Sequence, residues 1–455
     1  MQKVTGHISA VIKGLLFIGI GIQTVMGIVW MCCNFPNFPQ YGDSLFYMQV
    51  SKSLRCDEYT GILYPVFVRI TGGNHFAAYG VQLIAAYAAA RRFLGVFLQR
   101  NKAFLTGGCL AVLTVPMVMQ CHLALLPCSF AASLMLVELS LLGEAIKDEE
   151  KRTLRRLAEI CLCWLALALL LPEYLYLGAL PVVLFGLFCH RGFWESRKKG
   201  IYGLLLTAAF LGMILGGNSL TQTRGLYGKV HRTPLMTLTQ RIAWTSLLLE
   251  FESWHEEIQD CIDREEILGS ALYADGMEER FFPVMEQAIR DGTITRQQVE
   301  ACYKTMIQTA WLWHKKAILK EMAWDMLGYG AAPAVIQALL EGRGYDSYSN
   351  RNYDFFLEYT PGISKLYMDY GSWWFIVMLF LAAALQIMRL FGGGRPDKKK
   401  KILFALCCFL TAGTMAFWYT MRGAGMMDYK NTVVILQLWM AWPILLSAKE
   451  GTPQS

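Results

Sequence analysis

Residues 14–31 read GLLFIGIGIQTVMGIVWM, an apolar run without a charged side chain. A helix needs about 20 apolar residues to cross the roughly 30 Å hydrocarbon core of a bilayer. The run is longer than the apolar part of a typical signal peptide, and no small-x-small cleavage site follows it. We therefore predict an uncleaved signal-anchor helix and, with it, an integral membrane protein.

Nine further apolar runs follow along the chain. They cover residues 76–98, 103–120, 123–142, 158–171, 174–189, 201–216, 373–390, 402–419 and 432–446. Pro172-Glu173 interrupts the stretch 158–189, which is too long for one pass at 1.5 Å per residue and is predicted to form a hairpin of two short passes. The predicted fold class is therefore all-α, a polytopic transmembrane helical bundle of about ten passes.

Composition and charge agree with a membrane bundle. Of the 455 residues, 55% are hydrophobic and only 17% are charged, whereas about a quarter of the residues are charged in a soluble globular chain. Basic clusters at 91–102, 147–156, 191–199 and 395–401 alternate with turns near 121 and 172 that carry no Lys or Arg, and the last outer turn is an exception because it holds Arg422 and Lys430. The positive-inside rule then puts both termini in the cytoplasm of a multi-pass plasma-membrane protein. Because topology accounts for the net charge of +7, no nucleic-acid partner is expected.

Three domains are predicted from this topology. Residues 1–217 form an N-terminal transmembrane module whose first outer loop is 32–74, and residues 371–455 form the C-terminal transmembrane helices. The segment 218–370 is predicted to be a helical extracytoplasmic domain, because Thr295-Arg-Gln-Gln298 has the pattern of a capping box. The 13 cysteines show no zinc-site spacing, so no cofactor is assigned, and a divalent metal stays open.

The first outer loop holds the candidate catalytic residue, Asp43. Apolar residues recur through Ser44–Leu54, which predicts a short amphipathic helix at the membrane surface. Asp43 stands at the start of this helix and has two compatible interpretations. It is an N-cap, or it is a general base that the positive end of the helix keeps ionised.

The arrangement resembles the GT-C superfamily of membrane glycosyltransferases, in particular bacterial relatives of dolichyl-phosphate-mannose-protein mannosyltransferases and aminoarabinose transferases. The shared features are an outer acidic residue (Asp43), an amphipathic helix (44–54) and the segment Gly61-Ile-Leu-Tyr64-Pro65. Pro172-Glu173 resembles a Pro-Glu feature of related chains. Many members have two adjacent acidic residues where this chain has Asp43-Ser44, which leaves metal binding undecided.

The resemblance implies an inverting transfer of a sugar from a polyprenyl-phosphate donor, held among membrane lipids, to a glycan, lipid or protein acceptor. Asp43 would be the base that deprotonates the acceptor hydroxyl, while cations stabilise the departing phosphate. The candidate substrate-binding residues are Tyr64, Arg69, His75, Glu173, Arg422 and Lys430. Of the cations, Arg422 and Lys430 are favoured, although both also fit the simpler role of anchoring helix ends among lipid headgroups.

Other functions compete with the transferase. A lipid-linked polysaccharide polymerase or ligase shares the donor class and uses a large outer loop such as 218–370. A transporter or flippase predicts inverted repeats and ionisable residues at the bilayer midplane, and the sequence shows neither, because its apolar runs are nearly free of charge. A non-catalytic assembly partner needs neither feature. His122, in a predicted outer turn, fits the wall of a cavity but is more simply a structural residue.

Overall fold

In the computed structural model, residues 2–34, 42–54, 56, 61–99, 101–188, 197–221, 372–391, 396–423 and 429–447 are described, with single residues between 292 and 326. Within these residues the elements are helical, and no β-strand is formed. The predicted domain 218–370 lies almost wholly outside the described residues. The division into three domains therefore stays a prediction.

The helices are numbered here in chain order. They are α1 (Gln2–Asn34), α2 (Gly42–Ser53), α3 (Leu63–Ile70), α4 (His75–Leu98), α5 (Lys102–Leu113), α6 (Pro116–His122), α7 (Cys128–Lys147), α8 (Leu154–Leu170), α9 (Tyr174–Leu177), α10 (Leu180–Phe188), α11 (Arg197–Thr221), α12 (Ser372–Phe391), α13 (Pro396–Gly423) and α14 (Tyr429–Ser447). A short 3-10 turn, Glu149–Lys151, lies between α7 and α8.

Five helices of the described chain are long and apolar enough to cross a membrane. The qualifying segments are His7–Cys33, His75–Leu98, Cys128–Lys147, Gly200–Asn218 and Lys399–Tyr419. Shorter apolar helices occur at Lys102–Leu113, Tyr174–Phe188, Trp374–Arg389 and Val433–Ser447. The all-helical prediction is thus confirmed for the described residues, which contain five candidates for membrane spans. The number of passes stays a prediction.

The core of the bundle is built around α14 and α7. Residues 433–447 of α14 are all buried, and this helix packs against α1, α4, α5, α6, α7, α12 and α13. By contrast, α1 and α11 are peripheral and leave apolar side chains such as Phe17, Ile18 and Leu204 exposed. Such faces suit contact with lipid tails, since exposed apolar side chains are not penalised inside a bilayer.

Three predicted passes differ from the helices observed, and one of them, 174–189, is divided into α9 and α10. The run 103–120 is divided at Thr114-Val115 into α5 and α6, and Pro116 occupies the first turn of α6, where proline fits because its nitrogen has no hydrogen to leave unpaired. Residues 123–127 form a turn, so the pass predicted at 123–142 begins only at Cys128. The break predicted at Pro172-Glu173 is confirmed, because α8 ends at Leu170 and α9 begins at Tyr174.

Helix α7 defines two ends of the bundle, about 30 Å apart at 1.5 Å per residue. Its first turn lies near Tyr64 and Tyr174 through Cys128. At its last turn, Lys147 donates to the Val96 carbonyl at the end of α4, and Lys400 of α13 donates to the Lys147 carbonyl. We call these the Glu173 end and the Glu144 end.

Candidate functional site

The Glu173 end brings together segments that are far apart in sequence. The Tyr419 hydroxyl, near the end of α13, donates a hydrogen bond to Glu173 Oε1 at 3.1 Å. Next to this contact, the rings of Tyr176 and Trp418 pack with centroids 5.2 Å apart. The break between α8 and α9 is therefore joined directly to the C-terminal part of the bundle.

Gly61 attaches the first predicted outer loop to the same end. A Cβ atom built on Gly61 would overlap the carbonyl oxygen of Leu169 and come within 2.6 Å of the Leu170 carbonyl carbon. Only a residue without a side chain allows backbones to approach this closely. The segment leading into α3 thus lies against the last turn of α8, three residues before Glu173.

Tyr64 is fully buried, and its hydroxyl donates to Gln82 Oε1 at 2.9 Å. Its ring packs edge-on against Tyr47 of α2, with centroids 5.1 Å apart. Burial raises the pKa of Tyr64 well above its usual value, so the phenol stays protonated and acts as a hydrogen-bond donor. This environment supports a positioning role, in which Tyr64 joins α2 and α3 to α4.

His122 lies at the centre of a buried polar network. Gln82 Nε2 donates to the carbonyls of His122 and Ala124, each at 2.9 Å. Gln437 Nε2 of α14 lies 2.9 Å from His122 Nε2, and His122 Nδ1 lies 2.8 Å from the Ser129 hydroxyl. Burial lowers the pKa of His122 to about 4, which keeps the ring neutral. These contacts agree with the structural interpretation of His122.

Asp43 is the second residue of α2, and the helix predicted at 44–54 is confirmed with bounds of Gly42–Ser53. Because α2 begins at Gly42, Asp43 lies in the first helical turn and not at the N-cap. A carboxylate there is still favoured by the helix dipole. One turn further on, Tyr47 contacts Tyr64, which ties the start of α2 to the Glu173 end. The surroundings of the Asp43 side chain lie outside the described residues.

Arg422 and Lys430 flank the connection between α13 and α14. Arg422 is three residues, about one helical turn, beyond Tyr419, and Lys430 is the second residue of α14. The backbone of α13 thus brings Arg422 close to the level of the Tyr419–Glu173 contact. Both side chains lie outside the described residues, so their predicted role at a phosphate stays a prediction.

Arg69 and His75 lie on either side of the turn between α3 and α4. Gly72 and Gly73 shape this turn with φ values of 63° and 73°, in the left-handed region that favours glycine. Arg69 is exposed, whereas His75 is half-buried with Nδ1 3.3 Å from the Tyr79 hydroxyl. Among the contacts of the described residues, none joins either side chain to Glu173.

Glu138 is an ionisable residue in the middle of a predicted pass, where the sequence prediction expects none. It lies at the midpoint of α7, is completely buried, and neither carboxylate oxygen has a hydrogen-bond partner among the described residues. Cys161 and Cys163 of α8 are within electrostatic reach of it. The signal was present in the sequence as the one acid inside the apolar run 123–142. An acid at this depth is costly to bury and is a functional candidate by default.

Removing the Glu138 carboxyl is expected to stabilise the protein. We expect Glu138→Leu to raise the free energy of unfolding by about 1–3 kcal/mol, because it removes a buried polar group that no hydrogen bond satisfies. Thermal unfolding of the purified protein in detergent measures the change. Glu144→Leu on the same helix is the control and should destabilise the protein, since it leaves the largely buried Arg156 without a carboxylate 2.9 Å away. A lower unfolding temperature for Glu138→Leu would show that the carboxyl has a stabilising partner.

Among the described residues, no cluster of three or more His, Cys, Asp or Glu side chains could hold a metal ion. Comparison of the whole chain with protein-family models, curated proteins and solved structures finds no match.

Proposed function

We propose that the protein transfers a sugar from a polyprenyl-phosphate donor to an acceptor hydroxyl at the outer face of the plasma membrane. In this proposal the bundle has about ten passes in a GT-C-like arrangement, and both termini are cytoplasmic. The Glu173 end faces outward, and residues 218–370 form an extracytoplasmic domain beside it. Asp43 is the general base of a single inverting displacement.

The hydrogen bond between Tyr419 and Glu173 carries this proposal. It supports a shared site because it joins the α8–α9 break to the end of α13, where Gly61 also brings in the loop that follows Asp43. Described residues from three parts of the proposed site, namely Gly61 after the first loop, Glu173 of the Pro-Glu break and Tyr419 near the end of α13, therefore lie at one end of the bundle. The sequence of any one of these segments does not predict that the three lie together.

The charge distribution supports the proposed orientation. At the Glu144 end, Lys147, Lys151, Arg155, Arg156 and Lys400 lie near one another. Lys and Arg accumulate on the cytoplasmic side of membrane proteins. The opposite Glu173 end then lies at the outer headgroup level, where the sugar phosphate of a lipid-anchored donor also lies.

The proposed reaction requires the protein mainly to position the donor and acceptor and to place charged groups near the reacting atoms. Phosphate leaves without protonation, so the enzyme has to accept one proton from the acceptor and stabilise the charge that develops on the leaving group. Asp43 supplies the base, and Arg422 and Lys430 supply the cations. Glu173, whose orientation Tyr419 helps to fix, would accept hydrogen bonds from sugar hydroxyls, and Tyr64 would position the loop.

Incubating the purified protein with polyprenyl-phosphate sugars and an acceptor tests the proposal. We expect release of free polyprenyl phosphate, and a loss of about 100-fold in kcat/KM for Glu173→Gln, since two or more charge-assisted hydrogen bonds weaken together. Tyr419→Phe should cost about five- to tenfold through looser positioning. Tyr176→Phe is the matched control, because Tyr176 is exposed and also contacts α13 through its ring. No release from any donor by the wild-type protein would refute glycosyl transfer.

Transport or lipid flipping is a second candidate, and Glu138 is the observation that favours it. A buried carboxyl at the midpoint of α7 is the kind of residue that lines ion or substrate pathways. Reconstituted vesicles separate the two functions. A transporter should lose activity in Glu138→Gln and tolerate Asp43→Asn, whereas the transferase should show the reverse.

A further inference from the structure

A cavity of about 630 Å³ lies at the Glu144 end of the bundle, remote from the proposed transfer site. It is formed by α4, α7, the 3-10 turn and the start of α8. Four basic side chains line it, namely Arg92, Lys151, Arg155 and Arg156, against the carboxylates of Glu144, Glu150 and Glu159. The cavity therefore carries one more positive than negative charge.

The basic side chains of the cavity differ in how many carboxylates they contact and how closely. Arg156 is largely buried and uses its guanidinium to bridge two carboxylates, 2.9 Å from Glu144 and 2.8 Å from Glu159. Arg92 donates through Nε to Ser140, but its Nη2 is 3.8 Å from Glu144, beyond hydrogen-bond distance. Lys151 and Arg155 each make a single carboxylate contact. Arg92, Lys151 and Arg155 thus retain donors for an anion.

The remaining wall of the cavity is mainly apolar and reaches the surface of the bundle. Val137 and Leu141 of α7 and Leu162 of α8 line it. Leu141 is buried, whereas Val137 is half-buried and Leu162 is 58% exposed. A molecule entering here would meet basic groups at one end and an apolar, lipid-accessible groove at the other. Inorganic phosphate would use only the basic half.

We propose that this cavity binds the headgroup of an anionic phospholipid, with the phosphate at Arg92, Lys151 and Arg155 and an acyl chain along Val137 and Leu162. Charge complementarity selects the anion, and the apolar groove selects a lipid over a soluble phosphate. Basic pockets between helices at a membrane surface commonly take such headgroups. The α8 helix begins at Leu154 beside the cavity, so the positive end of its dipole adds to the attraction. The site does not depend on glycosyl transfer.

Titration of dioleoylphosphatidylglycerol into the full-length protein in uncharged detergent tests the proposal, with bound lipid measured by native mass spectrometry and stability by thermal unfolding. We expect saturable binding that the double variant Arg92→Gln/Lys151→Gln weakens about 30-fold, because each basic side chain at a membrane surface contributes about 1 kcal/mol. Lys102→Gln is the matched control, since Lys102 is an exposed cation at the same end that does not line the cavity. If the double variant unfolds, Arg155→Gln replaces it, because the Arg155 side chain is 89% exposed, and about fivefold weaker binding is expected.

Each alternative outcome counts against the lipid site. Equal binding of phosphatidylcholine would show that charge is irrelevant, and an equal stabilising effect of inorganic phosphate would show a soluble-anion site. If Lys102→Gln weakened lipid binding as much as the double variant does, the loss of affinity would come from general surface charge and not from the cavity. Unchanged binding in both Arg92→Gln/Lys151→Gln and Arg155→Gln would place the lipid elsewhere.

Discussion

Replacing Asp43 with Asn is expected to lower the rate of sugar transfer by about 100- to 10,000-fold, the usual contribution of a positioned general base. The substitution keeps the size of the side chain and its place in the first turn of α2, but the amide cannot accept the acceptor's proton. The affinity for the polyprenyl-phosphate donor should change little, because the cations and not Asp43 are proposed to hold the phosphate. Single-turnover release of polyprenyl phosphate measures the chemical step separately from binding.

Asp57→Asn is the matched control for this experiment. Asp57 belongs to the same predicted outer loop, so its substitution changes the charge of the loop by the same amount without touching the proposed base. We expect the control to retain the wild-type rate within about threefold. An Asp43→Asn protein that turns over as fast as this control would remove Asp43 from the mechanism, although the helical bundle would be unaffected.

Gly61→Val should have the second large effect, and this one acts through the fold. Its side chain would occupy the space of the Leu169 carbonyl oxygen, and both neighbouring groups belong to the backbone of α8, which cannot rotate away as a side chain can. Overpacking of this kind costs about 1–3 kcal/mol when side chains adjust, and we expect a cost at the upper end of that range. The loop should separate from α8, and transfer activity should fall with stability.

Gly80→Ala provides the control for the glycine substitution. No atom lies within 4 Å of a Cβ atom placed at Gly80 in α4, and alanine is favoured over glycine in a helix by about 1 kcal/mol. Thermal unfolding in detergent should therefore show a small gain for Gly80→Ala and a clear loss for Gly61→Val. Equal stability of the two variants would mean that the contact between Gly61 and α8 is not maintained.

Hydropathy predicts best the helices whose ends are marked by a local sequence signal, such as a capping residue or a proline. The start of α4 is readable because Asn74 caps it by accepting from the Ala77 amide, and the break at Pro172-Glu173 carries its own proline. Hydropathy does not predict the helix boundaries near 114 and 127, because the residues there are as apolar as the helices they separate. Pro116 and Pro127 are the sequence signals for these boundaries.

The candidate site was only partly predictable for a different reason. The contact between Tyr419 and Glu173 joins residues 246 positions apart, and no local pattern encodes such a pairing. Hydropathy does not single out Glu138, because an average over an apolar run hides a single acid, although one buried carboxylate dominates the local energetics. A motif resemblance predicts a role for Tyr64, whereas the surroundings of its side chain depend on Tyr47, Gln82 and Phe130 from three other helices.

The enclosed position of α14 has a consequence for how the protein is made. Every helix packed around residues 433–447 precedes them in the chain, so ribosomes deliver the surrounding helices to the membrane before the helix that fills their centre. Until then the surrounding helices lack the partner that buries their inner faces, and the contact between His122 and Gln437 cannot form. Final assembly is therefore a late event in biosynthesis, completed only after the last described helix is made.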